Sequence, residues 1–162
     1  MSVDRARIVL VVFDVDGVFT DGRFTYDEDG RESKTFHTQD GYGIRRLLAA
    51  GREVGVITGR RSGAVSARMN ELGVRHVIQG CRDKLSALID MLDMLGVPPE
   101  HCAFVGDDIP DLASMQHVGL AIAVANAVAD VRAAADIVTN ASGGGGAVRE
   151  VCDWLLAGAA KS

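Results

Sequence analysis

Short, continuous apolar runs alternate along this chain with longer segments of helical period. The apolar runs predict six strands, over Ile8–Val15, Val54–Thr58, Val74–Ile78, Ala103–Gly106, Leu120–Val124 and Ile137–Thr139. The segments between them predict five helices, over Tyr42–Ala50, Ser62–Leu72, Lys84–Leu95, Pro110–His117 and Ala147–Leu156. Strands that are apolar throughout are typical of a sheet covered on both faces, so the pattern predicts an α/β fold with an open, doubly wound parallel sheet.

One segment interrupts this alternation and predicts a small β-hairpin insertion. Two β-rich arms, Phe19–Thr25 and Glu32–Thr38, flank an Asp-Gly pair that favours a tight turn, which places the hairpin at about residues 18–38. The segment holds half of the eight aromatic residues of the chain: Phe19, Phe24, Tyr26 and Phe36. An aromatic arm that protrudes from a domain is typical of an interface between subunits.

The composition narrows the class of protein. A chain of 162 residues with 48% apolar positions is expected to form a single domain over residues 1–162. A net charge of −5 disfavours a nucleic-acid partner. The three cysteines, Cys81, Cys102 and Cys152, fit neither a disulfide framework nor a zinc site. The first apolar run, Ile8 to Phe13, is too short for a signal peptide or a membrane span, so we expect a cytoplasmic protein without a membrane partner.

Acidic residues follow two of the predicted strands. Asp14 and Asp16 come directly after the first strand, and Asp107 follows the fourth, with Asp108 and Asp111 close behind. The carboxyl ends of strands are where open α/β sheets bind ligands, so these acids converge if the two strands are neighbours. Three oxygen ligands completed by water and phosphate describe a magnesium site. A solvated turn is the simpler interpretation of an isolated D-x-D pair, and a helix cap that of Asp108 or Asp111.

Three further polar residues stand at or just beyond strand ends. Thr58 closes the second long strand, where a hydroxyl and backbone amides can hold a phosphate oxygen. Lys84 opens a helix and can neutralise developing negative charge. Arg60 suits an anionic substrate, because a guanidinium matches a carboxylate or phosphate in a bidentate manner. Taken singly, Thr58 is as typical of an ordinary cap, and Lys84 of a solvated surface charge.

Taken in order, these residues resemble the four-motif series of the haloacid dehalogenase superfamily of phosphotransferases: Asp14-Val-Asp16-Gly, Thr58, Lys84 and Gly-Asp107-Asp108-x-x-Asp111. The resemblance implies a Rossmann-like fold of that type. Other members insert a cap domain between the motifs, but here predicted helices and strands fill these intervals, so no cap domain is expected. The resemblance also implies that Asp14 is the nucleophile, which forms an aspartyl-phosphate. Asp16 would protonate the leaving alcohol and then activate water.

The same resemblance implies a cofactor and further roles. Magnesium would be held by Asp14, the backbone carbonyl of Asp16, and Asp107. Thr58 and Lys84 would hold the oxygens of the transferred phosphoryl group. Two other acids would orient Lys84 or the water shell of the metal: Asp108 and Asp111.

Longer stretches resemble one family more specifically, the 3-deoxy-D-manno-octulosonate 8-phosphate phosphatases: Asp14–Gly22, Phe36–Ile44, Ile57–Arg60, Gln79–Lys84, Gly106–Asp108 and Gly143–Glu150. This implies a magnesium-dependent homotetramer that releases the free keto-sugar acid needed for bacterial lipopolysaccharide. It also implies that neighbouring chains cover the active site and that a glycine-rich tail, about residues 142–162, lies near a neighbour's site. Besides Asp16 and Lys84, the implied substrate contacts are His37, Thr38, Gln39, Asp40, Gly41, Arg60 and Arg68.

Two departures from the family pattern leave alternatives open. Members often carry a basic residue where this chain has Gln39, and another where it has Gly145, so a nonulosonate 9-phosphate is an alternative substrate. A phospho-acceptor signalling domain combines similar residues, but its acceptor Asp follows the third strand, where this chain has Gln79 and Gly80. A domain that kept the fold without catalysis is disfavoured, because every motif residue is present.

Overall fold

The computed structural model describes residues 4–157 and contains the predicted sheet. Six parallel strands form it in the order β5-β4-β1-β6-β7-β8, and two antiparallel strands form a separate hairpin. The strands are β1 (Leu10–Phe13), β2 (Thr25–Tyr26), β3 (Glu32–Ser33), β4 (Glu53–Ile57), β5 (His76–Ile78), β6 (Cys102–Gly106), β7 (Leu120–Ala123) and β8 (Ile137–Val138). All six predicted strands of the sheet are confirmed, each within two residues of its expected bounds.

Six α-helices join the strands: α1 (Thr38–Ala49), α2 (Gly63–Leu72), α3 (Lys84–Leu95), α4 (Leu112–His117), α5 (Ala129–Ala134) and α6 (Ala147–Ala157). Helix α3 begins where predicted because the Asp83 side chain accepts a hydrogen bond from the Ser86 amide, and it ends at Gly96, where φ is 63°. Helix α5 was not predicted, since its six residues bury only Val131. The predicted helix at Pro110 instead opens as a 3-10 turn over Ile109–Asp111, which leads into α4.

The core positions two strand ends side by side. All four residues of β1 and all five of β6 are buried, and these strands are neighbours at the centre of the sheet. On one face, α1 and α6 approach closely at Gly43, where a Cβ atom would lie 3.1 Å from the Cβ of Cys152. Because β1 and β6 are parallel, Asp14 and Asp107, the residues that follow them, emerge at the same edge of the sheet.

The hairpin is smaller than predicted, with two residues in each strand. Phe19 belongs to the core instead: it is 2% exposed, and its ring centre lies 5.4 Å from that of Phe13. Thr38 is the first residue of α1. The residues with high β-propensity in the two predicted arms therefore form a buried turn and the start of a helix as well as the two short strands. Phe24 and Tyr26 remain exposed and pack against each other, with ring centres 5.3 Å apart.

The first two residues of the glycine tract at 143–146 pack against the loop that follows β1. A Cβ on Gly143 would lie 1.8 Å from the Gly17 carbonyl oxygen, and one on Gly144 would lie 2.5 Å from the Asp21 amide nitrogen. With α6 it forms part of the folded domain, so the first part of the predicted tail is ordinary domain structure. The remainder, residues 158–162, lies outside the described residues.

Two absences hold for residues 4–157. Only the hairpin, α1 and their connections lie between β1 and β4, so no cap domain is inserted there. Over the same range, no helix has the length and hydropathy needed to cross a bilayer.

Candidate active site

An open cavity of about 500 Å³ lies at the carboxyl edge of the central strands. Eight residues singled out in the sequence line it: Asp14, Asp16, Thr58, Arg60, Lys84, Asp107, Asp108 and Asp111. They come together because β4, β1 and β6 are adjacent and parallel, so that their following loops meet at one edge. The cavity unites all four predicted motifs.

Four charged side chains form a compact group at this edge, here called the strand-end cluster: Asp14, Lys84, Asp107 and Asp111. The Lys84 Nζ atom lies 2.9 Å from Asp14 Oδ1 and 2.7 Å from Asp111 Oδ1. Lys84 is the first residue of α3 and only 7% exposed, so its charge faces the two carboxylates rather than solvent. The interpretation of Lys84 as a surface charge is therefore wrong.

The two acids that follow Asp107 play different parts. The Asp111 Oδ2 atom accepts hydrogen bonds from the backbone amides of Asp107, at 3.0 Å, and Asp108, at 3.2 Å. The Asp108 Oδ1 atom accepts one from the Ile109 amide at 2.8 Å and so caps the 3-10 turn. Asp108 is thus the cap that the sequence left undecided, while Asp111 anchors both the loop and Lys84.

Crowding changes the protonation of the strand-end cluster. Burial, followed by repulsion from Asp111, raises the pKa of Asp14 to about 6. Burial and the charges of Asp14 and Asp111 raise the pKa of Asp107 to about 8. Burial lowers the pKa of Lys84, but the two neighbouring carboxylates outweigh it and raise that pKa above its ordinary value. A bound cation favours the ionised carboxylates and would reverse their shifts.

The donor atoms of this cluster fit a magnesium ion. Carboxylate oxygens of Asp14, Asp107 and Asp111 lie within 4.8 Å of one another. The Asp107 Oδ1 atom is buried and has no hydrogen-bond partner among residues 4–157. Both oxygens of Asp111, in contrast, already accept hydrogen bonds. Because Mg²⁺ prefers hard oxygen ligands, the geometry favours Asp14 and Asp107 as ligands, with Asp111 as their anchor.

A second group of side chains lies where the hairpin meets the cavity, here called the hairpin cluster: Phe24, Tyr26, Glu32, Lys34 and Arg60. Lys34 forms an ion pair with Asp16 Oδ1, and its Nζ atom lies 3.5 Å from Glu32 Oε1. Arg60 forms an ion pair with Glu32 and donates a hydrogen bond to Tyr26 Oη at 3.0 Å. The Arg60 guanidinium lies 4.1 Å from the Phe24 ring centre. The hairpin therefore connects Asp16 to Arg60.

Two basic residues of the site, Lys34 and Arg82, are not predicted from the sequence. The Lys34 side chain is fully buried, although it follows a short hairpin strand. The alternation of residues along this arm could have indicated its burial. Glu32, Lys34 and Phe36 share one face of an extended segment, and Phe36 packs against the core. Arg82, which lines the cavity, stands two residues before Lys84 in a loop whose position was predicted but whose role was not.

The predicted substrate loop at residues 37–41 is the beginning of α1. The His37 ring Nδ1 accepts a hydrogen bond from the Gln39 amide at 3.2 Å and so caps the helix. Asp40 is 1% exposed and accepts a hydrogen bond from the Arg149 amide at 2.9 Å, which caps α6. Burial raises the pKa of Asp40, while the hydrogen bond from Arg149 opposes that change.

The remaining predicted substrate residues lie away from the main cavity of their own chain. Thr38, Gly41 and Arg68 line a separate depression of about 230 Å³ between α1 and α2. Arg68 forms an ion pair with Glu71 at 2.9 Å. Contact between these residues and the substrate stays a prediction. Within one chain they line a different depression from the main cavity.

The loop that carries the two catalytic candidates is held from behind. At Gly17, φ is 87°, and a Cβ atom would lie 1.9 Å from Asp107 Oδ2, so a side chain does not fit there. The Asn126 Nδ2 atom donates to the Gly17 carbonyl at 3.1 Å, and Asn126 Oδ1 accepts from the Gly143 amide at 2.6 Å. The glycine tract therefore supports the loop that follows Asp16.

Comparison with known proteins finds hydrolases and phosphatases that resemble this chain. Residues 77–150 match the family of haloacid dehalogenase-like hydrolases. The 3-deoxy-D-manno-octulosonate 8-phosphate phosphatase KdsC of Escherichia coli K12 is 47% identical over 150 residues, which cover 93% of this chain and 80% of the relative. The crystal structure of that phosphatase from Moraxella catarrhalis, in complex with a magnesium ion, a phosphate ion and a KDO molecule, has a TM-score of 0.94 at 43% identity, covering 96% and 89% of the two chains.

A further structure extends the likeness across species. The cobalt-bound deoxy-D-mannose-octulosonate 8-phosphate phosphatase from Haemophilus influenzae has a TM-score of 0.94 at 39% identity, covering 98% of this chain and 93% of the other. The similarity thus spans nearly the whole length rather than the four motifs alone. The chain therefore belongs to the 3-deoxy-D-manno-octulosonate 8-phosphate phosphatase family of the haloacid dehalogenase superfamily.

Proposed function

We propose that this chain is a magnesium-dependent phosphomonoester hydrolase that converts 3-deoxy-D-manno-octulosonate 8-phosphate into the free keto-sugar acid and phosphate, a step towards bacterial lipopolysaccharide. One observation carries the reaction type: Asp14 and Asp16 share a cavity with Thr58 and Lys84 at the end of β1. The near-full-length similarity to phosphatases named for this substrate supports the choice of substrate.

The first step of the proposed reaction uses Asp14 as nucleophile. This residue is 6% exposed, and Lys84 holds one of its oxygens. A carboxylate oxygen of Asp14 attacks phosphorus, and the bond from phosphorus to the sugar oxygen breaks. Asp16 enters this step protonated on Oδ2, while its Oδ1 accepts the hydrogen bond from Lys34. It donates that proton to the sugar oxygen, so the sugar leaves as an alcohol. The phosphoryl group is now bonded to Asp14.

The second step returns both residues to their initial state. Asp16, now ionised, accepts a proton from a water molecule whose oxygen attacks phosphorus. The bond between phosphorus and Asp14 breaks, and inorganic phosphate is released. Thr58 and Lys84 hold the phosphoryl oxygens in both steps, where negative charge develops.

Asp14, Asp107 and the Asp16 backbone carbonyl would hold the magnesium ion. When bound, the ion offsets the repulsion between the Asp14 carboxylate and the phosphate anion. Asp111 holds both the loop after β6 and the Lys84 side chain in place beside this site.

We further propose a homotetramer in which neighbouring chains cover the cavity. Three observations support it: no cap domain is present among residues 4–157, Phe24 is 39% exposed, and Tyr26 is 57% exposed beside the cavity. Thr38 and Arg68 lie outside their own chain's cavity, so they would meet substrate bound to a neighbour. The mass in solution tests this: four times 17.1 kDa is expected, and an active monomer would contradict it.

A cytoplasmic location is part of the proposal. The three cysteines Cys81, Cys102 and Cys152 are all free thiols, as expected for a reducing compartment. Localisation of the tagged protein by cell fractionation tests this point.

A panel of phosphate esters, assayed with and without magnesium, tests the function. We expect a preference for the octulosonate 8-phosphate over simple sugar phosphates, and loss of turnover when a chelator removes the metal. Equal rates across the panel would contradict the narrow substrate, and a preference for a nonulosonate 9-phosphate would replace it. Release of a single phosphate per chain would identify a phospho-acceptor domain instead.

A further inference from the structure

Lys34 is a buried lysine that the hairpin carries to the active-site cavity. Its side chain is 0% exposed, and it forms an ion pair with Asp16. A buried ammonium is costly unless anions surround it, so its position is defined by its partners. Two acids flank the Lys34 Nζ atom: Asp16, which lines the cavity, and Glu32.

Each of the two catalytic carboxylates has its own lysine. Lys84 holds Asp14 within the core, and Asp14 also lies next to the other carboxylates of the strand-end cluster. Asp16 is 22% exposed, and Lys34 makes the one side-chain hydrogen bond to its carboxylate among residues 4–157. Without Lys34, the Asp16 side chain would be free to turn between its rotamers at the cavity mouth.

The hairpin also fixes Lys34 itself. Glu32 shares its two oxygens between Lys34 and Arg60, which gives an unbroken chain of alternating charges from Asp16 to Arg60. The Phe24 ring covers this chain, with its centre 5.7 Å from the Lys34 Nζ atom. The orientation of Asp16 is therefore coupled to the position of the hairpin.

We propose that Lys34 is a positioning residue for the hydrolysis: it holds the Asp16 carboxyl group in the orientation that delivers a proton to the departing sugar oxygen. The proposal rests on the proposed function, in which Asp16 protonates the leaving alcohol. Proton transfer depends steeply on geometry, so a wrongly oriented Asp16 slows the step even though its acid is still present.

A pair of substrates tests this role. An alkyl phosphate such as the octulosonate 8-phosphate needs a proton on its leaving oxygen, whereas p-nitrophenyl phosphate releases a stable phenolate without one. We expect Lys34→Met to lower kcat/KM about 10²-fold for the alkyl ester and less than about threefold for the aryl ester. The parameter kcat/KM is the right readout, because it reports the steps up to release of the alcohol.

Three further measurements separate positioning from a structural role. Lys34→Arg keeps the charge, so we expect it to recover most of the alkyl-ester activity. Arg31→Met is the matched control, since this hairpin residue is 77% exposed and its ion pairs among residues 4–157 are with acids of the turn, and both activities should stay unchanged. Thermal unfolding of every variant identifies loss of the fold. If Lys34→Met unfolds, Lys34→Gln replaces it, because this polar side chain is uncharged and one bond shorter, and the same difference between the two esters is expected.

Several outcomes would overturn the proposal. Equal loss on both esters would show that Lys34 only fastens the hairpin, and unchanged activity on both would show that it has no role. If the wild-type protein prefers another sugar phosphate, the proposed substrate fails, but the same comparison with that ester still tests Lys34. A wild-type protein that hydrolyses neither class of ester would overturn both proposals.

Discussion

The strand-end cluster and the hairpin cluster each supply one lysine to a carboxylate of the proposed mechanism, but the chain builds the two clusters in different ways. Asp14 follows the central strand β1, and Lys84 is the first residue of α3. Both are less than one tenth exposed. The hairpin cluster rests on strands of two residues, an exposed aromatic pair and ion pairs. Packing of the core thus fixes the proposed nucleophile, Asp14, whereas a few polar contacts on a short hairpin hold Asp16 and Arg60.

The strand-end cluster should be the more sensitive of the two to a single change in chemistry. Asp14→Asn keeps the shape of the side chain but removes the nucleophile, so we expect turnover to fall by about 10³-fold or more. The melting temperature should stay close to that of the wild type. Phosphate release with magnesium measures the effect, and a variant that keeps substantial activity would refute the assignment of Asp14.

The two regions should also differ in what their aromatic residues contribute to stability. Phe104 in β6 is 0% exposed, so Phe104→Ala should lower the free energy of unfolding by about 3–5 kcal/mol. Phe24 is 39% exposed, and Phe24→Ala should cost about 1 kcal/mol. Urea unfolding of both variants makes the comparison. Equal losses would show that the hairpin is as well packed as the core.

The sequence predicts the strand-end cluster well because local patterns determine it. Asp14 and Asp107 each follow a run of apolar residues, and the shared direction of the two strands brings these acids together. The sheet and α3 follow from periodicity and from the caps at Asp83 and Gly96. Helix α5 is the exception, because six residues with one buried side chain carry almost no periodic signal.

The rest of the site depends on contacts between distant parts of the chain. Asp40 caps α6 through the Arg149 amide, a contact across 109 positions that no local pattern reveals. Lys34 and Glu32 reach Asp16 and Arg60, which line the cavity, only because a short arm folds back towards them, and the fold of such an arm depends on tertiary contacts. Arg68 lies in a separate depression, and its proposed contact with substrate depends on a neighbouring chain, whose position one sequence does not give.

Arg60 tests whether the hairpin cluster recognises the acid group of the substrate. Its Nη2 atom is engaged by Glu32 and Tyr26, and its Nε atom is buried, so Nη1 is the guanidinium nitrogen left to bind a substrate in the cavity that Arg60 lines. We expect Arg60→Gln to raise KM for the octulosonate 8-phosphate about tenfold, with little change in kcat. For p-nitrophenyl phosphate, which has no carboxylate, KM should stay nearly constant. An equal rise for both substrates would show that Arg60 binds the phosphate group instead.

The smallest expected effect concerns magnesium and pH. Without a cation, burial and repulsion raise the pKa of Asp14 to about 6 and that of Asp107 to about 8, above the value of 3.8 expected for an unfolded chain. These protonated carboxyls stabilise the fold fully below about pH 4, and the contribution is lost as the pH rises through 6 and 8. Magnesium replaces the protons, so it should raise the melting temperature by a few degrees more at pH 8 than at pH 5.

The contribution of the hairpin cluster to stability should change with pH in the opposite direction. Melting temperatures measured across one pH series therefore distinguish the two regions. The hydrogen bond from Arg60 lowers the pKa of Glu32, so the contribution of Glu32 is present at neutral pH and is lost as the pH falls through its folded value. Glu32→Gln should therefore leave the magnesium effect intact, whereas Asp107→Asn should remove most of it. Asp130→Asn, at an exposed acid on α5, is the matched control. If magnesium stabilises the protein equally at pH 5 and pH 8, the ion does not bind the buried carboxylates of the strand-end cluster.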